Sequence, residues 1–331
     1  MSIDSQMLPW HEPYWQQLAA YLQQKRIPQA LIVNGPRGLG KHQLVNQFAY
    51  SLLCNQPLAN GIHCGQCSSC LLVKAQTHPD LLYLEPEEPG KAITIGQIRE
   101  LMPTLSLKPQ YQGYRVLIIN PADAMNRAAA NAFLKFLEEP TERTIILLIT
   151  ERLSQLPATI ASRCQKMTLI KPEPDAARLW LATQGIEQNK SALLLSLALG
   201  SPLLASAYAE DGTIEQRQNC LTQWFNVGKH QLLPTVVAEE WSKLPTGKLQ
   251  FWMTSWVIDL IKCCFGLPVS TLINPDLKVH WQEFKQPLEL NQLYSLYDLL
   301  LLSRERFEKQ LNNQLLLEEI LINWSHVTRS P

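Results

Sequence analysis

The stretch LIVNGPRGLGKHQLVNQFAYSLLC, residues 31–54, decides how the first half of this sequence folds. Its apolar start predicts a β-strand, its glycine-rich middle predicts a tight turn, and its second half predicts an amphipathic helix. The turn fits the phosphate-loop pattern G-x-x-x-x-G-K-[ST] up to the last position, where His42 replaces the hydroxyl residue. The candidate phosphate-binding residues are Gly35, Gly38, Gly40 and Lys41.

A phosphate loop binds phosphate and also holds Mg²⁺, and this sequence has the residues for phosphate binding only. Glycines allow the positive φ angles that aim backbone N–H groups at phosphate, and the lysine reaches the outer phosphates. The missing hydroxyl would hold Mg²⁺, and the imidazole of His42 is a poor ligand for a hard cation that prefers oxygen. The sequence predicts a phosphate cradle without its metal ligand. It leaves open whether the loop binds nucleotide or is a plain strand-to-helix turn.

The length and the net charge of the chain limit the classes of protein to which it can belong. A chain of 331 residues suffices for two or three domains with apolar cores. Lys plus Arg and Asp plus Glu both number 29, so no overall basic field attracts nucleic acid. The N-terminus lacks a secretory pattern, and the apolar run 251–265 is short and carries Asp259 and Lys262, which predicts a buried helix and no membrane span. We therefore expect a globular cytoplasmic protein.

Strand-like and helix-like segments alternate in the first half of the chain. Apolar runs predict strands at residues 30–33, 80–85, 116–119 and 144–149. This alternation predicts an α/β domain in which helices cover both faces of a parallel sheet. A helix is also predicted at 93–105, which Pro103 should end or kink.

Helical patterns replace strands after residue 170, where the proline-rich segment KPEPD begins. Amphipathic periodicity then continues to the C-terminus. The sequence predicts three domains: an α/β domain at 1–170 with a cysteine-rich insertion at 54–70, a small helical domain at 171–212, and an all-α domain at 213–331.

The insertion contains four cysteines with the spacing C-x9-C-x2-C-x2-C, namely Cys54, Cys64, Cys67 and Cys70. Thiolates select zinc, and four protein ligands leave no open coordination position, so a zinc ion held here would be structural. The spacing alone also allows an iron–sulfur cluster or four unrelated free thiols.

A phosphate-loop enzyme that hydrolyses nucleotide needs two carboxylates at the end of a second strand, one for Mg²⁺ and one to activate water. Here the strand at 116–119 is followed by Asn120 and Pro121, and neither can serve. Asp123 comes two residues later, and we expect it to be the N-cap of the next helix. Together with the replacement at His42, these losses argue against ATP hydrolysis by this chain.

The tripeptide Ser162-Arg163-Cys164 indicates a different role for this chain. An arginine at the rim of such a domain can reach the γ-phosphate bound to a neighbouring subunit and stabilise transition-state charge. The alternative for Arg163 is a surface salt bridge, which is the usual situation of a single exposed arginine. The tripeptide by itself does not decide between them.

Several of these segments together resemble the AAA+ clamp-loader family. The matching motifs are GPRGLGK (35–41), CGQCSSC (64–70), HPD (78–80), AAANAFLKFLEEP (128–140), LPATIASRC (156–164) and GSP (200–202). The resemblance implies that Arg163 acts in trans as an arginine finger and that the four cysteines bind zinc. It implies that 171–212 is a lid domain and that 213–331 is a collar that joins subunits.

The resemblance also implies partners. The expected assembly is a hetero-pentamer of three ATPase subunits (gamma or tau), delta and this chain, which loads the ring-shaped sliding clamp onto primed DNA within a DNA polymerase holoenzyme. Active loader subunits carry an arginine in the lid motif that begins Gly-Ser, but Pro202 follows Ser201 here. We therefore expect a non-hydrolysing subunit. Two alternatives are an active ATPase with unconventional ligands and a zinc-containing DNA-binding module.

Overall fold

The computed structural model describes residues 7–88, 90–111, 113–139, 141–274, 288–308 and 312–328. These residues form two compact units, one made of Met1–Trp180 with Ser201–Leu204, and the other made of Leu181–Gly200 with Ala205–Pro331. Each unit has an apolar core of its own.

The first unit is built on one parallel five-stranded sheet. Its strands are Ala30–Asn34 (β1), Leu81–Leu84 (β2), Arg115–Ile119 (β3), Thr144–Thr150 (β4) and Gln165–Thr168 (β5), in the spatial order β2-β3-β4-β1-β5. The central strands β3 and β4 are buried along their whole length, as expected for strands covered by helices on both faces. The carboxyl ends of β1, β3 and β4 lie at one edge of the sheet, because all pairs are parallel.

Helices cover this sheet on two sides. They are Glu12–Gln24 (α1), Lys41–Leu53 (α2), Ser68–Lys74 (α3), Ile95–Ser106 (α4), Arg127–Glu138 (α5) and Ala158–Ala161 (α6). The side chains of α2 pack with Leu31 and Val33 in one buried cluster, while those of α5 pack with Ile32 in another. Alternate residues of β1 therefore face opposite helical layers.

Three further helices lie along the chain between residues 174 and 210. They are Pro174–Thr183 (α7), Gln188–Leu197 (α8) and Pro202–Glu210 (α9). The second unit continues with Thr213–Gly228 (α10), Pro234–Trp241 (α11), Thr246–Cys264 (α12), Leu290–Glu308 (α13) and Asn313–Val327 (α14).

Tryptophans dominate the core of the second unit. Trp224, Trp241, Trp256 and Trp324 are all buried, and the rings of Trp224 and Trp324 stack with centroids 4.6 Å apart. The indole N–H of Trp324 donates to the carbonyl oxygen of Trp224 at 2.8 Å, so its polar atom is satisfied inside the core. The apolar run that ends near Phe265 belongs to α12, whose inner face is part of this core.

The structure confirms the predicted fold class of an α/β domain with a parallel sheet followed by helical structure. Strand β5 was not predicted, because only Met167 among its residues is buried and the strand lacks an apolar run. Helix α4 continues past Pro103 to Ser106, so of the two predicted effects of this proline, an end or a kink, the end does not occur. The division into three domains stays a prediction.

Within the described residues, no single helix is long and apolar enough to cross a membrane. The strongly bent pair Gln188–Leu197 and Pro202–Glu210 meets the length and composition test when the two are taken together.

Candidate functional site

The glycine-rich turn connects β1 to α2, as the sequence predicts. Gly38 and Gly40 both have a φ of 78°, in the left-handed region that favours glycine. A Cβ atom at Gly38 would lie 2.6 Å from the Cβ of Leu204, and one at Gly40 would lie 2.5 Å from a methyl group of Leu8. Both positions therefore require glycine for their backbone conformation and for close packing.

The side chain of Lys41 is buried and turned back onto its own loop. Its ammonium group donates to the carbonyl oxygens of Gly35 and Pro36, both at 2.8 Å. Burial lowers the pKa of Lys41, while the negative charges of Glu151 and Asp123 oppose this shift. In this arrangement the ammonium group is bound to the carbonyl groups of its own loop.

Neighbouring segments hold the other carbonyl groups of the loop. The backbone N–H of Leu203 donates to the Gly38 carbonyl at 3.1 Å. The indole N–H of Trp10 and the Nε2–H of His11 donate to the Leu39 carbonyl at 2.9 and 2.7 Å. The loop is thus fixed by contacts within the protein.

His42 stands where a metal-binding hydroxyl is expected, and its ring is engaged along α2. The ring nitrogens lie 3.3 Å from the amide nitrogen of Asn46, and the amide oxygen of Asn46 accepts from the hydroxyl of Tyr83 at 3.3 Å. Burial lowers the pKa of His42, and Glu85 opposes this shift. A neutral imidazole in these contacts provides no oxygen for Mg²⁺.

The prediction that Asp123 caps the next helix is wrong. Helix α5 begins at Arg127, and its N-cap is Asn126, whose side chain accepts from the backbone N–H of Ala129 at 2.8 Å. Asp123 instead accepts from the hydroxyl of Thr150 at 2.7 Å, across the ends of β3 and β4. It is a carboxylate near the edge of the sheet, but it is held by a neighbouring strand.

The four cysteines of the insertion come together at the junction of α2 and α3. Their sulfur atoms all lie within 4.8 Å of one another, and three of the separations are 3.6, 3.9 and 3.9 Å. Four sulfurs around a tetrahedral zinc at about 2.3 Å would lie about 3.8 Å apart. The geometry therefore fits a tetrahedral metal ion bound by Cys54, Cys64, Cys67 and Cys70.

Backbone donors favour the thiolate form that metal binding requires. The N–H groups of Cys64, Cys67 and Cys70 point at the sulfurs of Cys54, Cys64 and Cys67 at 3.3, 3.4 and 3.5 Å. Burial opposes the ionisation of Cys67, but the backbone N–H groups of Cys70 and Asn55, together with the thiols of Cys70 and Cys64, outweigh it and lower the pKa of that thiol to about 6. For Cys54 and Cys70, burial raises the thiol pKa.

A buried polar chain links the cysteine cluster to the sheet. The hydroxyl of Ser69 donates to the Leu53 carbonyl at 2.6 Å and lies 2.9 Å from Nε2 of His78. The backbone N–H of Asp80 donates to Nδ1 of His78 at 3.1 Å, so Nε2 carries the proton and donates to Ser69. The carboxylate of Asp80 pairs with Arg115 on β3, with an Oδ1 to Nη2 distance of 2.8 Å.

Arg163 follows the one-turn helix α6 and reaches the surface. Its Nη2 atom pairs with Oε1 of Glu138 at 2.6 Å, and its Nη1 donates to the Thr159 carbonyl at 3.0 Å. The side chain of Arg163 is 36% exposed and that of Glu138 is 51% exposed. Sequence reasoning did not identify Glu138 as a partner, because the two residues lie 25 positions apart.

The sequence of this chain matches the models of a known protein family. The family model described as DNA polymerase III, delta subunit matches residues 10–173, and the model for the C-terminal part of that subunit matches residues 211–326. DNA polymerase III subunit delta' of Pseudomonas aeruginosa is 35% identical over 321 residues, which are 96% of this chain and 97% of the relative. The chain belongs to the DNA polymerase III delta' family.

Two more relatives support this assignment. DNA polymerase III subunit delta' of Escherichia coli is 29% identical over 96% of this chain and 95% of its own length. The tau/gamma subunit of Haemophilus influenzae is 28% identical over 67% of this chain and 31% of its own length. Membership of the delta' family confirms the predicted resemblance, the clamp-loader role and membership in a clamp-loader complex. The roles of individual residues stay predictions.

Proposed function

We propose that this chain is a clamp-loader subunit that does not hydrolyse nucleotide itself and that supplies Arg163 in trans to the nucleotide of a neighbouring ATPase subunit. The observation that supports this role most directly is the position of Arg163. Its side chain lies at the surface of the first unit, 36% exposed, on a backbone anchored by the buried residues Ile160 and Cys164. Such a cation can stabilise the charge that develops on a transferring phosphoryl group.

The chain's own loop supports the other half of the proposal. The ammonium group of Lys41 is bonded to two loop carbonyls, and His42 is bonded along its helix. The residues that follow β3 are Asn120 and Pro121, so the end of that strand carries no acidic pair. Each of these features removes a group that phosphoryl transfer needs, namely a phosphate clamp, a metal ligand and a base.

The assembly we propose is a hetero-pentamer of three ATPase subunits (gamma or tau), delta and this chain, acting in the cytoplasm. Its task would be to load the sliding clamp onto primed DNA. Residues 171–212 would serve as the lid domain and 213–331 as the collar that joins the subunits. Similarity to delta' and tau/gamma proteins supports this arrangement.

We further propose that zinc is the metal of the cysteine cluster. Zinc would be bound by Cys54, Cys64, Cys67 and Cys70 and would cross-link the end of α2 to the start of α3. Four thiolates and no open position suit a structural ion. The sulfur separations near 3.8 Å support this choice.

The decisive test is an Arg163→Ala variant in a loader complex reconstituted with its ATPase subunits. If one of three ATPase sites depends on Arg163, clamp-stimulated ATP turnover should fall by about one third or more, and clamp loading onto primed DNA should slow by about tenfold or more. Arg178→Ala is the matched control, because Arg178 is 42% exposed and pairs with Asp175 at 2.5 Å. Normal turnover and loading with Arg163→Ala would refute the trans role.

The isolated chain tests the two alternatives. An active ATPase would release phosphate in the presence of Mg²⁺ and would lose this activity in a Lys41→Ala variant. A DNA-binding module would bind primed DNA tightly, with an affinity that falls steeply as salt rises. We expect neither result from this chain, whose charges balance at 29 of each sign.

A further inference from the structure

The guanidinium group of Arg163 is held by two acceptors on different elements. Glu138, the last residue of α5, accepts from Nη2 at 2.6 Å, and the carbonyl of Thr159 in α6 accepts from Nη1 at 3.0 Å. Because the group is planar and the bonds engage different nitrogens, together they fix both its position and its orientation. A single bond would leave the group free to rotate about that contact.

The backbone on both sides of this contact is anchored in the core. Ile160, three residues before Arg163, and Cys164, directly after it, are buried in the same cluster as Leu137, which precedes Glu138. The two side chains therefore start from fixed points and meet at the surface. The carbonyl of Thr159 also accepts from the hydroxyl of Ser162 at 3.1 Å, which fixes this acceptor as well.

Helix stability alone does not favour a glutamate at this place. Glu138 ends α5, and Glu139 follows it as the C-cap residue. Carboxylates at a helix C-terminus lie at the negative end of the helix dipole, where they are unfavourable. The charge of Glu138 is thus matched to the guanidinium of Arg163 and not to the helix that carries it.

We propose that Glu138 is a positioning residue for Arg163: it orients the guanidinium so that the remaining N–H donors face the phosphate of the neighbouring subunit. This inference rests on the proposed trans role of Arg163. A guanidinium has five N–H donors, and the two contacts leave others available to a phosphate. Pre-orientation removes the need to order a long flexible side chain in the transition state.

The test compares Glu138→Ala and Glu138→Gln in the reconstituted loader complex, with Arg163→Ala as the reference. We expect Glu138→Ala to reproduce more than half of the loss of kcat seen with Arg163→Ala, with the KM for ATP unchanged within about twofold. Glu138→Gln keeps an amide oxygen that can accept from Nη2, so it should retain more than half of the wild-type kcat. The variant carrying both Glu138→Ala and Arg163→Ala should be no slower than Arg163→Ala alone.

Glu139→Ala is the matched control, because it removes the adjacent exposed carboxylate. It should leave turnover unchanged. Thermal unfolding and complex assembly are measured for every variant, and both should match the wild type for Glu138→Ala. Unchanged or faster turnover with Glu138→Ala would overturn the inference, as would a loss that merely follows reduced assembly. If Arg163→Ala itself has no effect on turnover, the proposed trans role of Arg163 is refuted, and the inference about Glu138 is refuted with it.

Discussion

Breaking the ion pair between Asp80 and Arg115 should strongly destabilise the first unit, and the substitution Asp80→Ala tests this. Both side chains are buried, with 0% and 2% exposure. The carboxylate accepts from Nε and Nη2 of Arg115 at 3.2 and 2.8 Å and from the backbone N–H groups of Gln110 and Tyr111, both at 3.0 Å. One side chain therefore joins β2, β3 and the segment before β3.

The expected loss follows from what the substitution leaves behind. Removing one partner of a buried ion pair costs about 3–5 kcal/mol, because the other charge stays buried without compensation. Arg115 keeps bonds to the carbonyls of Thr104, Leu107 and Lys108, so we expect the lower end, about 3 kcal/mol. For a unit of this size, that loss corresponds to a fall in Tm of about 6–12 °C.

The assay should report on the first unit alone, since the chain folds as two compact units. Hydrogen exchange of β2 and β3 in increasing urea meets this need. Asp175→Ala is the control, because Asp175 is 88% exposed and its pair with Arg178 lies at the surface. A loss below about 1 kcal/mol for Asp80→Ala, or one no larger than that of the control, would show that Arg115 is not left as an uncompensated buried charge and would refute this reasoning.

Three further predictions concern the metal, the loop and pH. Cys67→Ser should reduce the zinc content measured by mass spectrometry to well below one equivalent, while Cys264→Ser, an exposed thiol outside the cluster, should not. Gly38→Ala should lower the free energy of unfolding by about 2 kcal/mol more than Gly90→Ala does. Both glycines have a positive φ, but a Cβ added at Gly38 would lie 2.8 Å from a backbone nitrogen, whereas a Cβ added at Gly90 would have no atom within 4 Å. Burial lowers the pKa of His78 in the folded protein, so the neutral ring contributes to stability fully above about pH 6.5, and this contribution is lost as the pH falls towards the lower folded pKa. The free energy of unfolding measured with urea should therefore fall between about pH 7.5 and about pH 5.5, and a rise would contradict this prediction.

Local sequence patterns were sufficient to predict an element when the residues that specify it lie close together in the chain. The glycine-rich turn, the buried strands β3 and β4 and the cysteine cluster are each specified by residues close together in the chain. Strand β5 was missed because it lies at the edge of the sheet, where only one of its side chains is buried. Edge strands need no continuous apolar run, so their pattern is weak.

Pro103 shows how contacts from distant residues help a helix to continue past a proline. A proline inside a helix removes one hydrogen bond and was expected to end α4 or bend it. The last turn persists because Leu105 is buried in the core and Arg115 donates to the carbonyl groups of Thr104 and Leu107. The sequence around Pro103 contains no sign of Arg115, which lies on a later strand.

The misassigned cap has a similar cause. Asp123 and Asn126 are both good N-cap residues, and both precede the helix in the sequence. Asp123 lies in the short turn Ala122–Ala124 and accepts from Thr150 of the neighbouring strand, while Asn126 directly precedes the helix. The partner of Arg163 was missed for the same reason, since residue spacing does not reveal which side chains meet across two elements.

The preserved glycine loop raises the question of whether its pattern indicates nucleotide binding. Each of its features has another cause in this structure. Gly38 and Gly40 have positive φ and lie too close to Leu204 and Leu8 for any side chain. The ammonium group of Lys41 donates to the carbonyl oxygens of Gly35 and Pro36, so the lysine also stabilises the turn itself. A loop whose backbone and lysine are needed for packing will keep the pattern in the absence of a ligand, so the pattern alone does not argue for bound nucleotide.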